Sequence, residues 1–252
     1  MTRYALEISY LGSRYHGWQA QNNATSVQEE LTRAVNTVIQ ANIELTGCGR
    51  TDTGVHATHF VAHFDAAHLP ENPQSRINGL LPDDISVDGI YQVADSFHAR
   101  FDAVEREYHY RITPIKNVFE GELMYLDRRI YDVKRMNEGC ELIKSATEFG
   151  AFCKLHSENK TNRCDVRHAE WTQSGHELRF TVRADRFLRN MVRAMVGTLL
   201  DLGLNKITLA DLNHILRSQD RSAAGRSVPA KGLMLSDVVY DRTNWRRIKD
   251  EN

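Results

Sequence analysis

The chain has 252 residues, 41% of them apolar, with 32 basic and 33 acidic side chains, a formal charge of −1 and four cysteines. That length holds one large domain or two small ones with room for a packed core, which excludes disorder for most of the chain. No run approaches the ~18 consecutive apolar residues of a membrane span, and Met1-Thr-Arg-Tyr-Ala lacks the layout of a signal peptide, so a cytoplasmic protein without a membrane partner is expected. Cys48, Cys140, Cys153 and Cys164 form no Cys-x-x-Cys pair, which suits reduced thiols better than a disulfide framework.

In chain order, Arg3 to Tyr10 alternates Tyr4, Leu6, Ile8 and Tyr10 with other residues and predicts a half-buried strand. An aromatic, Gly-punctuated loop follows. Ser26 and Glu29 then form a capping box ahead of Val27, Leu31, Ala34, Val35, Val38 and Ile39, which recur at helical spacing. A strand at Ile43 to Leu45 leads through a Gly-rich turn into a strand at His59 to Phe64. A Pro-bounded helix at Pro73 to Leu80 and a strand at Ile85 to Val93 complete a first domain, residues 1–103.

The second predicted domain, residues 104–252, opens with a strand at Glu107 to Ile112 and a helix at Val133 to Ser145. A hairpin pairs Val166 to Thr172 with Glu177 to Ala184. Helices at Phe187 to Leu202 and Leu209 to Leu216 and a strand at Leu233 to Tyr240 follow. This irregular alternation predicts an α+β fold of two packed units.

The near-zero net charge conceals an asymmetry. Residues 1–105 carry 6 basic and 13 acidic side chains, a sum of −7, and residues 106–252 carry 26 and 20, a sum of +6. Arginine outnumbers lysine 24 to 8, and its planar fork suits phosphates and stacked bases. On the predicted helix, Arg186, Arg189 and Arg193 cluster opposite the apolar face, and the preceding strand adds Arg179 and Arg183. A solvated helix face and a phosphate-binding wall both account for such a stripe.

Asp52 sits in Gly49-Arg50-Thr51-Asp52-Thr53-Gly54-Val55-His56. An Asp in such a turn either hydrogen-bonds its own backbone or displays a carboxylate as nucleophile or base, and Arg50 would hold its charge or meet a phosphate. His56, His59 and His63, and the set Cys153, His156, Cys164 and His168, invite a zinc reading. Strand geometry places the Cα atoms of His59 and His63 ~13 Å apart, too far for easy shared ligation. The second set brackets a short charged loop, and buried thiols with surface histidines are the default there, so no metal is expected. No Walker loop, dinucleotide fingerprint or Gly-x-Ser-x-Gly elbow is present.

Tyr15-His-Gly-Trp-Gln19, Thr25-Ser-Val-Gln-Glu-Glu-Leu31, Gly49-Arg-Thr-Asp-Thr-Gly-Val-His-Ala57, Phe97-His-Ala-Arg-Phe101, Arg106-Glu-Tyr-His-Tyr110, Arg186-Phe-Leu-Arg-Asn-Met-Val-Arg193 and Gly232-Leu-Met-Leu235 occur in that order. Together they resemble the signature set of the TruA family of tRNA pseudouridine synthases, from about residue 3 to 240. The box around Asp52 is the most specific of them. Thr53 stands where the family often has Ala, and Cys48 where a small residue is common; neither removes a reacting group.

The resemblance implies a pseudouridine synthase fold, two α/β sandwich subdomains with mainly antiparallel sheets meeting at a central cleft. It implies isomerisation of uridine to pseudouridine at tRNA positions 38, 39 and 40, in the anticodon stem-loop, by a homodimer needing no cofactor or metal. The family's nucleophile falls on Asp52, its active-site tyrosine on Tyr108, and the arginine paired with the aspartate on Arg189. The hydrophobic floor falls on Leu233, and the arginine that takes the flipped base's place on Arg50. Arg186 and Arg193 would contact backbone phosphates. A catalytically silent RNA-binding module and a zinc hydrolase built on Cys153, His156, Cys164 and His168 are the rival readings.

Overall fold

The computed structural model describes residues 1–22, 24–154 and 160–250. The chain divides into two compact units, Met1–Val104 with Leu235–Asn252, and Glu105–Met234. Among the described residues no helix is long and apolar enough to cross a membrane.

The first unit is built on β1 (Thr2–Tyr10), α1 (Val27–Ile39), β2 (Thr46–Gly47), β3 (His56–Ala66), α2 (Pro73–Asn78) and β4 (Ile85–Gln92). β1 is the centre of the sheet, antiparallel to both β3 and β4. The alternation read in β1 is realised, with Tyr4, Leu6, Ile8 and Tyr10 all buried. α1 starts where the cap lies: the Ser26 hydroxyl accepts from the Glu29 amide at 3.2 Å, and Val27, Leu31, Ala34, Val35 and Val38 bury the predicted stripe. The strand expected at Ile43 to Leu45 is displaced to β2, whose two residues pair with His63 and Ala62 of β3.

The second unit contains β5 (Glu105–Thr113), β6 (Tyr125–Leu126), α3 (Val133–Ser145), β7 (Val166–Ser174), β8 (Glu177–Ala184), α4 (Met191–Gly203) and α5 (Leu209–Ser218). β8 lies between β5 and β7, antiparallel to both, and β6 adds in parallel to β5. α3 packs on β7 and against α4 and α5. The Asp132 carboxylate caps α3 by accepting from the Arg135 amide. The fold class is therefore mixed α and β with mainly antiparallel pairing, as the sequence indicates.

Two expectations are corrected. Residues 235–250, placed with the second half of the chain on sequence, belong to the first unit. Residues 235–239 of β9 (Leu233–Val239) lie beside β3, and β10 (Arg246–Ile248) pairs antiparallel with β4. Pairing between strands so distant in sequence leaves no mark on local composition.

The helix expected from Phe187 begins only at Met191, because Asn190 takes a left-handed conformation with φ 65°. Nor does α4 keep a cationic face: it is buried nearly all round. The segment 225–228 covers the side read as solvent-facing, with the Gly225 amide donating to Thr198 Oγ1 at 2.9 Å and the Val228 amide to the Arg193 carbonyl at 3.2 Å. The approach depends on Gly197, where a side-chain carbon would stand 1.8 Å from the Arg226 carbonyl oxygen. Gly197→Ala should therefore cost ~2 kcal/mol or more in denaturant unfolding, despite the higher helix propensity of alanine.

Candidate active site

The turn that carries Asp52 is clamped by the aromatic loop after β1. Trp18 donates its amide to the Thr51 carbonyl at 3.4 Å, the Gly54 amide donates to the Tyr15 carbonyl at 3.2 Å, and the Val55 amide closes the turn on the Asp52 carbonyl at 3.1 Å. The Gly12 amide reaches Nδ1 of the buried His56 at 3.0 Å. This contact needs glycine: a side-chain carbon at Gly12 would lie 1.9 Å from the Val55 carbonyl oxygen, and one at Gly17, with φ +90°, 2.3 Å from that of Thr51. The same loop satisfies the start of α1, because the carbonyls of Gly17 and Trp18 accept from the amides of Val27 and Gln28.

Aromatic packing stiffens the clamp. Trp18 stacks on Phe60 of β3 at a ring separation of 4.0 Å. Tyr15 is buried and donates its hydroxyl to Asp84 Oδ1 at 2.5 Å. On this turn Thr51 is buried, Asp52 is half-buried and Arg50 is exposed. Arg50 and Asp52 are thus brought together on one hydrogen-bonded turn, Asp52 as a half-buried residue. The sequence reading missed Tyr10 and Asp84, which support the turn; the aromatic loop between two glycines was the available signal.

In the second unit, Tyr108 is a half-buried residue of β5, opposite Val182 of β8. Its ring meets the edge of Phe187 at 5.1 Å and 89°. Phe187 lies in the loop that also carries Arg186 and Arg189, so these candidates share a neighbourhood. Arg189 is exposed, and its carbonyl accepts from the Lys154 amide. Arg193, on α4, donates Nε to the Val228 carbonyl at 2.8 Å. Leu233 is buried at the start of β9. The five-arginine stripe does not form one surface: Arg183 pairs with Glu107 across the strands, and Arg179 with Glu177 at 2.7 Å.

The histidines of β3 have separate partners. His59 Nδ1 lies 2.6 Å from Asp237 and its Nε2 3.4 Å from Glu7, whereas His63 is buried and accepts from the Ala99 amide at 3.2 Å. Cys164 is buried with its sulfur 3.9 Å from that of Met191, and burial pushes its thiol up to about 12. His156 lies outside the described residues. Among the described residues no cluster of His, Cys, Asp or Glu has a metal-holding geometry.

Comparison with known proteins gives this arrangement a family. A family model described as tRNA pseudouridine synthase matches residues 146–241. A Bacteroides thetaiotaomicron protein named tRNA pseudouridine synthase A is 45% identical over 245 residues, covering 95% of this chain and 91% of that one. Proteins of the same name from Porphyromonas gingivalis and Francisella tularensis subsp. novicida are 45% and 34% identical, covering 95% and 98% of this chain and 98% and 97% of theirs. The chain belongs to the TruA family of tRNA pseudouridine synthases. It is accordingly an enzyme of the isomerase class. A crystal structure of the archaeal box H/ACA sRNP Nop10-Cbf5 complex overlaps 87% of this chain and 59% of that one at 9% identity and a TM-score of 0.33, a likeness too slight to bear on the chemistry.

In this TruA-family chain His59 and His63 should titrate in opposite senses. Burial holds His63 down to about 4. The unfolded chain takes up that proton from pH ~6.5 downward, so His63 lowers stability as pH falls from 6.5 toward 4. The hydrogen bond to Glu7, with that to Asp237, raises His59 against its burial. Its contribution is complete below pH ~6.5 and lost as pH rises through the folded value. Histidine ring-proton shifts followed by NMR from pH 4 to 9 should show His59 protonated and His63 neutral at pH 6.

Proposed function

We propose that the chain isomerises uridine to pseudouridine at positions 38, 39 and 40 of the tRNA anticodon stem-loop, as a cytoplasmic homodimer, with Asp52 as the nucleophile. Family membership carries the coarser part of this reading: the chain is an isomerase that acts on uridine in tRNA. The observation that supports the finer part is the place of Asp52, a half-buried residue on a turn fixed by its own backbone hydrogen bonds and by those of the loop after β1.

The reaction breaks the C1′–N1 bond, turns the uracil and joins C1′ to C5; C5 loses a proton and N1 gains one. A carboxylate that bonds covalently and then leaves serves this exchange. Asp52 fills that role, and the family resemblance assigns Arg189 the part of the cation that favours the ionised form of such a carboxylate. A target inside a stem must leave the stack at a cost of a few kcal/mol. Arg50, exposed on the same turn, takes the vacated place. Tyr108, braced by Phe187, receives the extruded base against the floor formed by Leu233. Arg186 and Arg193 serve the RNA backbone, a recognition of shape that suits action on several neighbouring nucleotides.

Purified protein should release tritium from tRNA labelled at C5 of uracil, and Asp52→Asn should lower that release by at least ~10³-fold while leaving tRNA binding largely intact. Release unaffected by this change sinks the assignment. Arg186→Ala should weaken binding to all substrate tRNAs alike and reduce the salt slope by about 1; an unchanged slope would place Arg186 off the RNA.

A further inference from the structure

Tyr10 ends β1, opposite Ala57 of β3 and Ile85 of β4, and its side chain is only 4% exposed. Its ring lies 5.9 Å from Phe60 and 6.5 Å from Trp18, in the cluster that anchors the clamping loop. From there its hydroxyl shares a 2.9 Å hydrogen bond with Thr51 Oγ1. Thr51 is 8% exposed and directly precedes Asp52. The backbone on both sides of Asp52 is also held, the Thr51 carbonyl by Trp18 and the Asp52 carbonyl by Val55.

We infer that Tyr10 and Thr51 are positioning residues for Asp52: their buried hydroxyl pair ties the nucleophile's turn to the centre of the sheet and sets where the carboxylate points. This rests on the assignment of Asp52 as nucleophile. The backbone bonds to Trp18 and Val55 hold the Thr51 and Asp52 carbonyls. The hydroxyl pair adds an anchor through the Thr51 side chain, from inside the core and without touching RNA. A reacting group aimed in this way sits near its attack geometry before substrate arrives, and small misplacements there are costly in rate.

The test is isosteric. Thr51→Val keeps the shape and removes the hydroxyl; Tyr10→Phe keeps the ring and removes its partner. Each should lower kcat for tritium release about tenfold, with the KM for tRNA within about twofold and the melting temperature little changed. Thr51→Ser should recover most of the rate. Thr51→Val combined with Tyr10→Phe should fall no further than the worse single variant, since both delete the same bond. A Thr51→Val enzyme with wild-type kcat, a loss confined to KM, or a loss that merely follows a reduced folded fraction by circular dichroism overturns the proposal. If Thr51→Val fails to fold, Tyr10→Phe carries the same comparison. Asp52→Asn in the same assay separates the two levels: release that survives it overturns the nucleophile assignment and the proposal together, whereas release lost there but intact in Thr51→Val and Tyr10→Phe overturns the proposal alone.

Discussion

The first unit depends on a backbone-to-backbone approach that only glycine permits. The loop after β1 lies so close to the 51–55 turn that the Gly12 and Gly17 positions have no room for a side-chain carbon. At that range the amides and carbonyls of the two segments satisfy one another, and neither has to be paired by water or by its own secondary structure. The same loop accepts the amides of Val27 and Gln28 at the start of α1. A turn, a loop and a helix terminus thus form one hydrogen-bonded assembly, with the stacked rings of Trp18 and Phe60 inside it. A side chain mounted there stands on a fixed backbone, which a flexible Gly-rich turn would not provide.

The second unit uses the same device at α4. Gly197 lets the 225–228 segment pass over the helix, and Gly225 packs against the Thr198 backbone, where a side-chain carbon would stand 2.9 Å from its Cα. Asn190 then joins the two segments by donating to Ser227 Oγ at 2.7 Å. This bond and the left-handed turn at Asn190 hold the 186–190 loop off the helix axis. Arg186 and Arg189 therefore stand on a braced loop whose direction the helix does not dictate.

What could be read in the sequence was whatever is local and periodic. The alternation in β1, the cap and stripe of α1, the span of α3 and the hairpin of β7 and β8 follow from side-chain period and turn chemistry, and the box around Asp52 identified its turn. The start of α4 was hidden because Phe187 and Leu188 keep helical spacing with Met191 and Val192, although a loop buries Leu188 equally well. Hydrophobic period reports burial, and burial is not unique to one conformation. The return of β9 and β10 to the first unit, and the hydroxyl pair of Tyr10 and Thr51, depend on contacts across 41 residues or more, which no window of sequence contains.

Charge shows most clearly why composition misleads about RNA. Many of the arginines after residue 105 are paired inside the unit: Arg111 with Glu177 and Glu120, Arg129 with Asp127, Arg167 with Glu105 and Asp165, and Arg183 with Glu107. Such pairs hold strands and loops and leave little field for a polyanion. On the braced loop Arg186 is half-buried and Arg189 exposed. Affinity for a phosphate backbone follows the cations that can release its counterions. The number of arginines in a chain therefore does not measure its affinity for RNA, because an arginine held by a carboxylate and one left on the surface count alike in composition and differently in the field.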